Sequence, residues 1–129
     1  MYNERRQENK KKYAYAKICD PDTFSLFYKL EKRRLKREWI SVFLVHLGLL
    51  NNKVNNKEIV ADNHMKNVLK SNLRCGDVVC EWSNKNFLIM LMNIQKQEVN
   101  KVIKRIKNKF QDKFENNTKI KLYHDFHKM

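Results

Sequence analysis

Arg74 and Asp77 stand three residues apart, just before a segment of this chain that reads as strand, tight turn, strand. An arginine offers a flat fork of N–H donors and an aspartate only accepts, so such a pair can grip the polar edge of a ligand. The same two residues also suit the turn after a helix, with Asp77 capping the turn and Arg74 paired to it, and that local role is the expected one. His46, His64, His124 and His127 supply imidazoles, but none has paired helical spacing to another. His124 and His127 are expected in a solvated C-terminal tail. Cys19, Cys75 and Cys80 are odd in number and lack zinc-knuckle spacing, which predicts reduced, buried thiols. No Ser-His-Asp or Cys-His pattern is visible. No metal and no cofactor are expected.

The elements that must position these residues are legible from periodicity. Asp20-Pro21 marks a helix start running to about Glu38, with Phe24, Phe27, Tyr28 and Leu35 largely on one side. Trp39 to Leu50 is a nearly continuous apolar run, expected as a central strand covered on both faces. Asn51 to Lys57 is a polar loop, and Ile59 to Leu73 a helix with Ala61, Met65, Val68, Leu69 and Leu73 on one face. The hairpin of about 78–93 follows. Glu98 to Phe114 is the clearest helix, because Val99, Val102, Ile103, Ile106, Phe110 and Phe114 recur at three- and four-residue steps. Asn116-Asn117 breaks it, and Lys119 to Phe126 alternates as a last strand. The expected fold is α+β, a ferredoxin-like βαββαβ core with an extra N-terminal helix.

At 129 residues the chain suits one domain, divided here into a basic lead-in over 1–17, frayed or a short edge strand, and a folded unit over 18–129. A formal charge of +14 directs attention to acidic partners, although abundant Lys and Asn with little Arg also fit an AT-biased genome. No apolar run approaches the roughly 20 residues that span a bilayer, and the first residues lack the apolar core of a signal peptide. A cytoplasmic protein without membrane contact is expected.

The hairpin carries a family resemblance. Arg74, Asp77, Trp82 and Phe87, with Asp77 six residues before Ser83, resemble the signature of the GGDEF family of cyclic dinucleotide synthases. With the order of elements, the resemblance extends over about residues 20 to 126 and implies a nucleotide-cyclase palm. Ser83, Asn84, Lys85 and Asn86 stand where that signature has Gly, Gly, Asp or Glu, and Glu. His46 and Gly48 stand where the family has a metal-binding Asp-x-Asp. A Cβ at the two glycine positions obstructs close approach of a guanine nucleotide, and Lys85 places positive charge where Mg²⁺ should sit. A degenerate domain that is not an enzyme is the expectation. In active relatives the Arg-x-x-Asp pair forms an inhibitory site, so the resemblance implies Arg74 and Asp77 as candidate contacts for cyclic di-GMP or a related nucleotide. Phe24, Tyr28, Leu30, Glu31, Arg33 and Arg37, followed by Ser41-Val42-Phe43-Leu44, look like the GGDEF-like region of Firmicute regulators with a bacterial transcriptional activator domain.

The expected role is therefore a regulatory or interaction module in bacterial signalling or transcription control, with a partner protein domain or another protomer as its contact. Met90 and Met92 are candidates for such a packing surface. Nucleic-acid binding is a less favoured alternative. It would use Lys101, Lys104, Arg105 and Lys107 on the basic helix, would be salt-sensitive and would lack sequence preference.

Overall fold

The computed structural model describes residues 17–37, 40–51, 56–113 and 120–129. All but the last residue of the basic lead-in, the start of the second strand at Trp39, most of the polar loop before Lys57, Phe114 and the Asn116-Asn117 break lie outside the described residues. The elements are β1 (Lys17–Cys19), α1 (Pro21–Leu35), β2 (Val42–Asn51), α2 (Asn56–Asn72), β3 (Val78–Ser83), β4 (Asn86–Met92), α3 (Lys96–Lys113) and β5 (Ile120–Lys128). They form one sheet in the order β1-β3-β4-β2-β5. The last four strands of the chain pair antiparallel throughout, which is the ferredoxin-like arrangement expected from the sequence. β1 adds parallel to β3, Cys19 opposite Cys80.

Local chemistry sets the ends of these elements. Asp20 caps α1: its Oδ1 accepts from the Thr23 amide at 2.7 Å, and Pro21 gives up no needed donor at the first helical position. α3 begins at Lys96, two residues before the predicted start, with the Glu98 and Val99 amides both closing on the Gln95 carbonyl. β5 runs to Lys128, past the predicted end at Phe126, and so takes His127 as well as His124 into a strand and not a tail.

Strand alternation divides the core in two. On one face Phe43, Val45, Leu47 and Leu49 of β2 meet Phe87, Ile89 and Leu91 of β4, under α2 and α3. Met65, Val68 and Leu69 come down from α2, with Leu73 just past its end, and Val99, Ile103, Ile106 and Phe110 from α3, all residues the periodicity picks out. Lys66 on α2 reaches Glu81 on β3 at 3.2 Å and Asp62 at 3.3 Å, tying the helix to β3.

On the other face Phe24 of α1 is buried with Val42, Cys80 and Met90, and Met92 packs at the margin. The two methionines therefore serve α1 and are not an open surface for a second protomer. Phe27 is also corrected: it is 37% exposed, because each helical step of about 100° carries it away from the Phe24–Tyr28–Leu35 side. The expectation that β2 is covered on both faces holds only for its first half. Beyond Leu44, its α1-side positions are His46, Gly48 and Leu50, and Leu50 is 54% exposed.

Candidate functional site

The open end of that face is built from three strands. Ser83 pairs with Asn86 across the hairpin, and a register shift between Glu81 and Ser83 sets Trp82 in a bulge. Asn86 pairs with Gly48, and Gly48 pairs on its other side with Tyr123. These residues consequently lie along one rung of the sheet. Between Ser83 and Asn86 the turn is closed by Asn84 and Lys85, and Lys85 adopts φ 68°, a left-handed conformation easier for Gly or Asn. The Lys85 carbonyl accepts from the Leu49 amide at 2.9 Å, which fixes the hairpin tip against β2.

Asn86 is the hub. Its Nδ2 donates to Ser83 Oγ at 3.0 Å and to the Asn84 carbonyl at 3.1 Å. Its Oδ1 lies 2.9 Å from His46 Nε2 and accepts from the Tyr123 hydroxyl at 3.2 Å. With the amide nitrogen spent on the turn, the facing atom is an acceptor, so His46 Nε2 carries the proton. The His46 and Tyr123 rings meet edge to face at 5.5 Å. Gly48 makes this packing fit: a Cβ there would stand 2.0 Å from Tyr123 Cζ.

This donor set does not fit an oxygen-coordinated dication. His46, Gly48, Lys85 and Asn86 supply no carboxylate, and Tyr123 covers the space over Gly48. No step through a metal at this position is derived. Gly48→Ala tests the packing. The Tyr123 ring is the far end of a side chain on an exposed strand, so it can swing into solvent, and the expected loss is about 1 kcal/mol. Chemical denaturation measures that loss, and NMR should show Tyr123 leaving His46. An unaltered Tyr123 environment would contradict the packing.

At the far end of β3 stand Arg74 and Asp77. Asp77 is 2% exposed. Its Oδ2 accepts from the Arg74 amide at 2.9 Å, and its Oδ1 accepts from the Met92 amide at 3.0 Å. The Arg74 guanidinium approaches both carboxylate oxygens at 3.4 Å and also donates to the Met92 carbonyl. The carboxylate thus joins the end of α2 to the end of β4, while the Arg74 side chain remains 54% exposed. A nucleotide arriving here would meet the guanidinium and not the carboxylate.

The four basic residues of α3 differ in setting. Lys101 and Lys104 are exposed, Arg105 donates to the Asn72 carbonyl at 2.7 Å, and Lys107 is half-buried. Burial lowers the Lys107 pKa, and Lys107 faces His124 of β5. The His124 pKa is itself lowered, first by burial and then by Lys107, against a smaller opposing pull from Asp125. A histidine whose folded pKa lies below its unfolded value near 6.5 favours folding when neutral. Its contribution is complete above about pH 6.5 and is lost as pH falls through the lower folded pKa. His124→Gln is expected to flatten the stability profile in that acid window, as read by urea midpoints across pH.

The cysteines also separate. Burial, with Cys19, Asp20 and Glu81 nearby, pushes the Cys80 thiol up to about 11, and burial and Asp20 raise Cys19. Cys75 is exposed. A disulfide reagent at neutral pH should label Cys75 first and Cys80 only on unfolding. Equal rates for all three in the native protein would contradict the burial of β3.

Comparison with known proteins agrees with this architecture. Residues 63–125, just under half of the chain, match the family model described as "Diguanylate cyclase, GGDEF domain". No curated protein matches the chain significantly. Among solved structures, the chain is similar to a DGC protein from Thermotoga maritima, with TM-score 0.71 and 19% identity over 89% of this chain and 84% of that one. It is also similar to diguanylate cyclase SiaD in complex with its activator SiaC from Pseudomonas aeruginosa. There the TM-score is 0.70 and the identity 15%, over 85% of this chain and 46% of SiaD. The fold is the one these two structures share.

These findings overturn one expectation. The expectation that the chain is not an enzyme rests on the replaced residues of both the hairpin, Ser83 to Asn86, and the first strand, His46 and Gly48; the family match and both cyclase likenesses instead point to a family of enzymes. Among the described residues, no helix is long and apolar enough to cross a membrane. What the sequence reading missed was Tyr123 as a partner of the hairpin. The pairing of a glycine in β2 with a tyrosine in the last strand was its one available signal.

Proposed function

We propose that this chain is a bacterial signalling domain of the diguanylate-cyclase class that acts as a regulatory or interaction module through contact with a partner protein. The observation that carries this reading is the exposed apolar end of the sheet. Leu50, Trp82 and Tyr123 are 54%, 48% and 40% exposed; Tyr123 touches the His46–Asn86 pair, and Leu50 and Trp82 lie on β2 and β3, the strands on either side of β4 and its Asn86. Side chains of this size clustered in water suit a contact surface. The SiaD structure, in complex with its activator, offers a precedent for a protein partner on a related fold. Transcription control is the setting we favour, on the likeness of the α1 region to regulators of that kind.

Affinity capture from the source cells with the tagged chain tests this. A protein retained in stoichiometric amount, and reduced by Trp82→Asp, is the expected result. Recovery of the chain alone would overturn the reading.

A further inference from the structure

The outer side of α1 carries an apolar stripe that stays exposed among the described residues. Leu26, Phe27 and Leu30 are 58%, 37% and 47% exposed, while Phe24 on the opposite side is buried and Tyr28 and Leu35 pack beside it. At about 100° per residue, Leu26, Phe27 and Leu30 fall on neighbouring positions over the first turns, Arg33 and Arg34 continue the same side towards the C-terminal end, and Arg37 follows in the turn just past it. Single exposed leucines are ordinary, but an i, i+1, i+4 group on one helix is a surface.

We propose that this side of α1 docks an acidic amphipathic helix of a partner protein. Its apolar residues would lie on Leu26, Phe27 and Leu30 and its carboxylates near Arg33 and Arg37. This rests on the reading of the domain as a protein-contact module and names the partner's chemistry. The argument is charge. Between Pro21 and Arg37 there are six basic residues and only Asp22 and Glu31 as acids. A second copy of the chain would set two such helices against each other in an isologous contact, on a molecule of formal charge +14, and the like charges oppose that. An acidic helix gains both terms: burial of the stripe and electrostatic steering.

The probe is a fluorescein-labelled synthetic peptide of about 18 residues, with leucines at helical spacing and glutamates elsewhere, titrated into the full chain by anisotropy. Saturable binding is expected, weakened about tenfold or more by Leu26→Asp with Leu30→Asp and also by Arg33→Glu with Arg37→Glu. A peptide of the same composition with its leucines dispersed should bind much more weakly. Equal binding of the dispersed peptide, or no response to the leucine variants, would overturn the proposal by reducing it to unspecific attraction. Absence of binding would overturn it too, as would a dimer of the free chain that Leu30→Asp dissolves. If the proposal fails while a partner is still captured, contact at the sheet end stands. If no partner is captured at all, it is the broader reading that fails.

Discussion

Asp77→Ala is expected to lower stability by about 2–4 kcal/mol, the largest loss from any single polar substitution in this domain. The carboxylate is buried and accepts from two backbone amides, those of Arg74 and Met92. Alanine leaves both donors without it and removes the counter-charge of the Arg74 guanidinium. Asp77→Asn should recover only part of the loss, since an amide oxygen can accept one of the two bonds. Urea denaturation of the three proteins checks this. A loss below about 0.5 kcal/mol for alanine would mean that the junction of α2 and β4 does not depend on the carboxylate.

Phe87→Ala is expected to cost about 3–5 kcal/mol, a large part of the stability of an ordinary domain. Its side chain is fully buried, it follows Asn86 at the start of β4, and its strand neighbours are Leu47 and Glu81. Truncation opens a cavity under the hairpin, so the Ser83–Asn86 turn should lose protection as well. Hydrogen exchange at the Leu49 amide, which is bonded to Lys85, reports the second effect directly. A protein of near-native stability with an unchanged Leu49 amide would show that the core closes without Phe87.

Much of this fold is legible in the chain because its signals are local. The stripe Val99, Ile103, Ile106 and Phe110 repeats at helical spacing and is buried as its spacing requires. Asp20-Pro21 is a helix start by its own chemistry, and the hairpin is announced by two apolar runs around a polar turn. The parts that were not legible depend on distant partners. β1 is a strand of three residues, too short for alternation, and becomes one only because β3 offers it an edge.

Phe27 looks like core from its type, and only the position of the sheet shows that it faces water. Tyr123 over Gly48 joins residues far apart in the chain, and no local pattern encodes that contact. For Arg74 and Asp77 the spacing was visible, but the bond from Asp77 to the Met92 amide was not. The expectation over enzymatic class rests on a few positions, Ser83 to Asn86 with His46 and Gly48, whereas the family match draws on the whole stretch of residues 63–125.

The account makes the chain a signalling domain that works by protein contact, and the mass of its native complex tests that most directly. Light scattering on the affinity-purified assembly should give more than the chain's own 15.7 kDa, with a second polypeptide in fixed ratio. Elution of the chain at its own mass, with no companion at any salt concentration tried, would contradict the account.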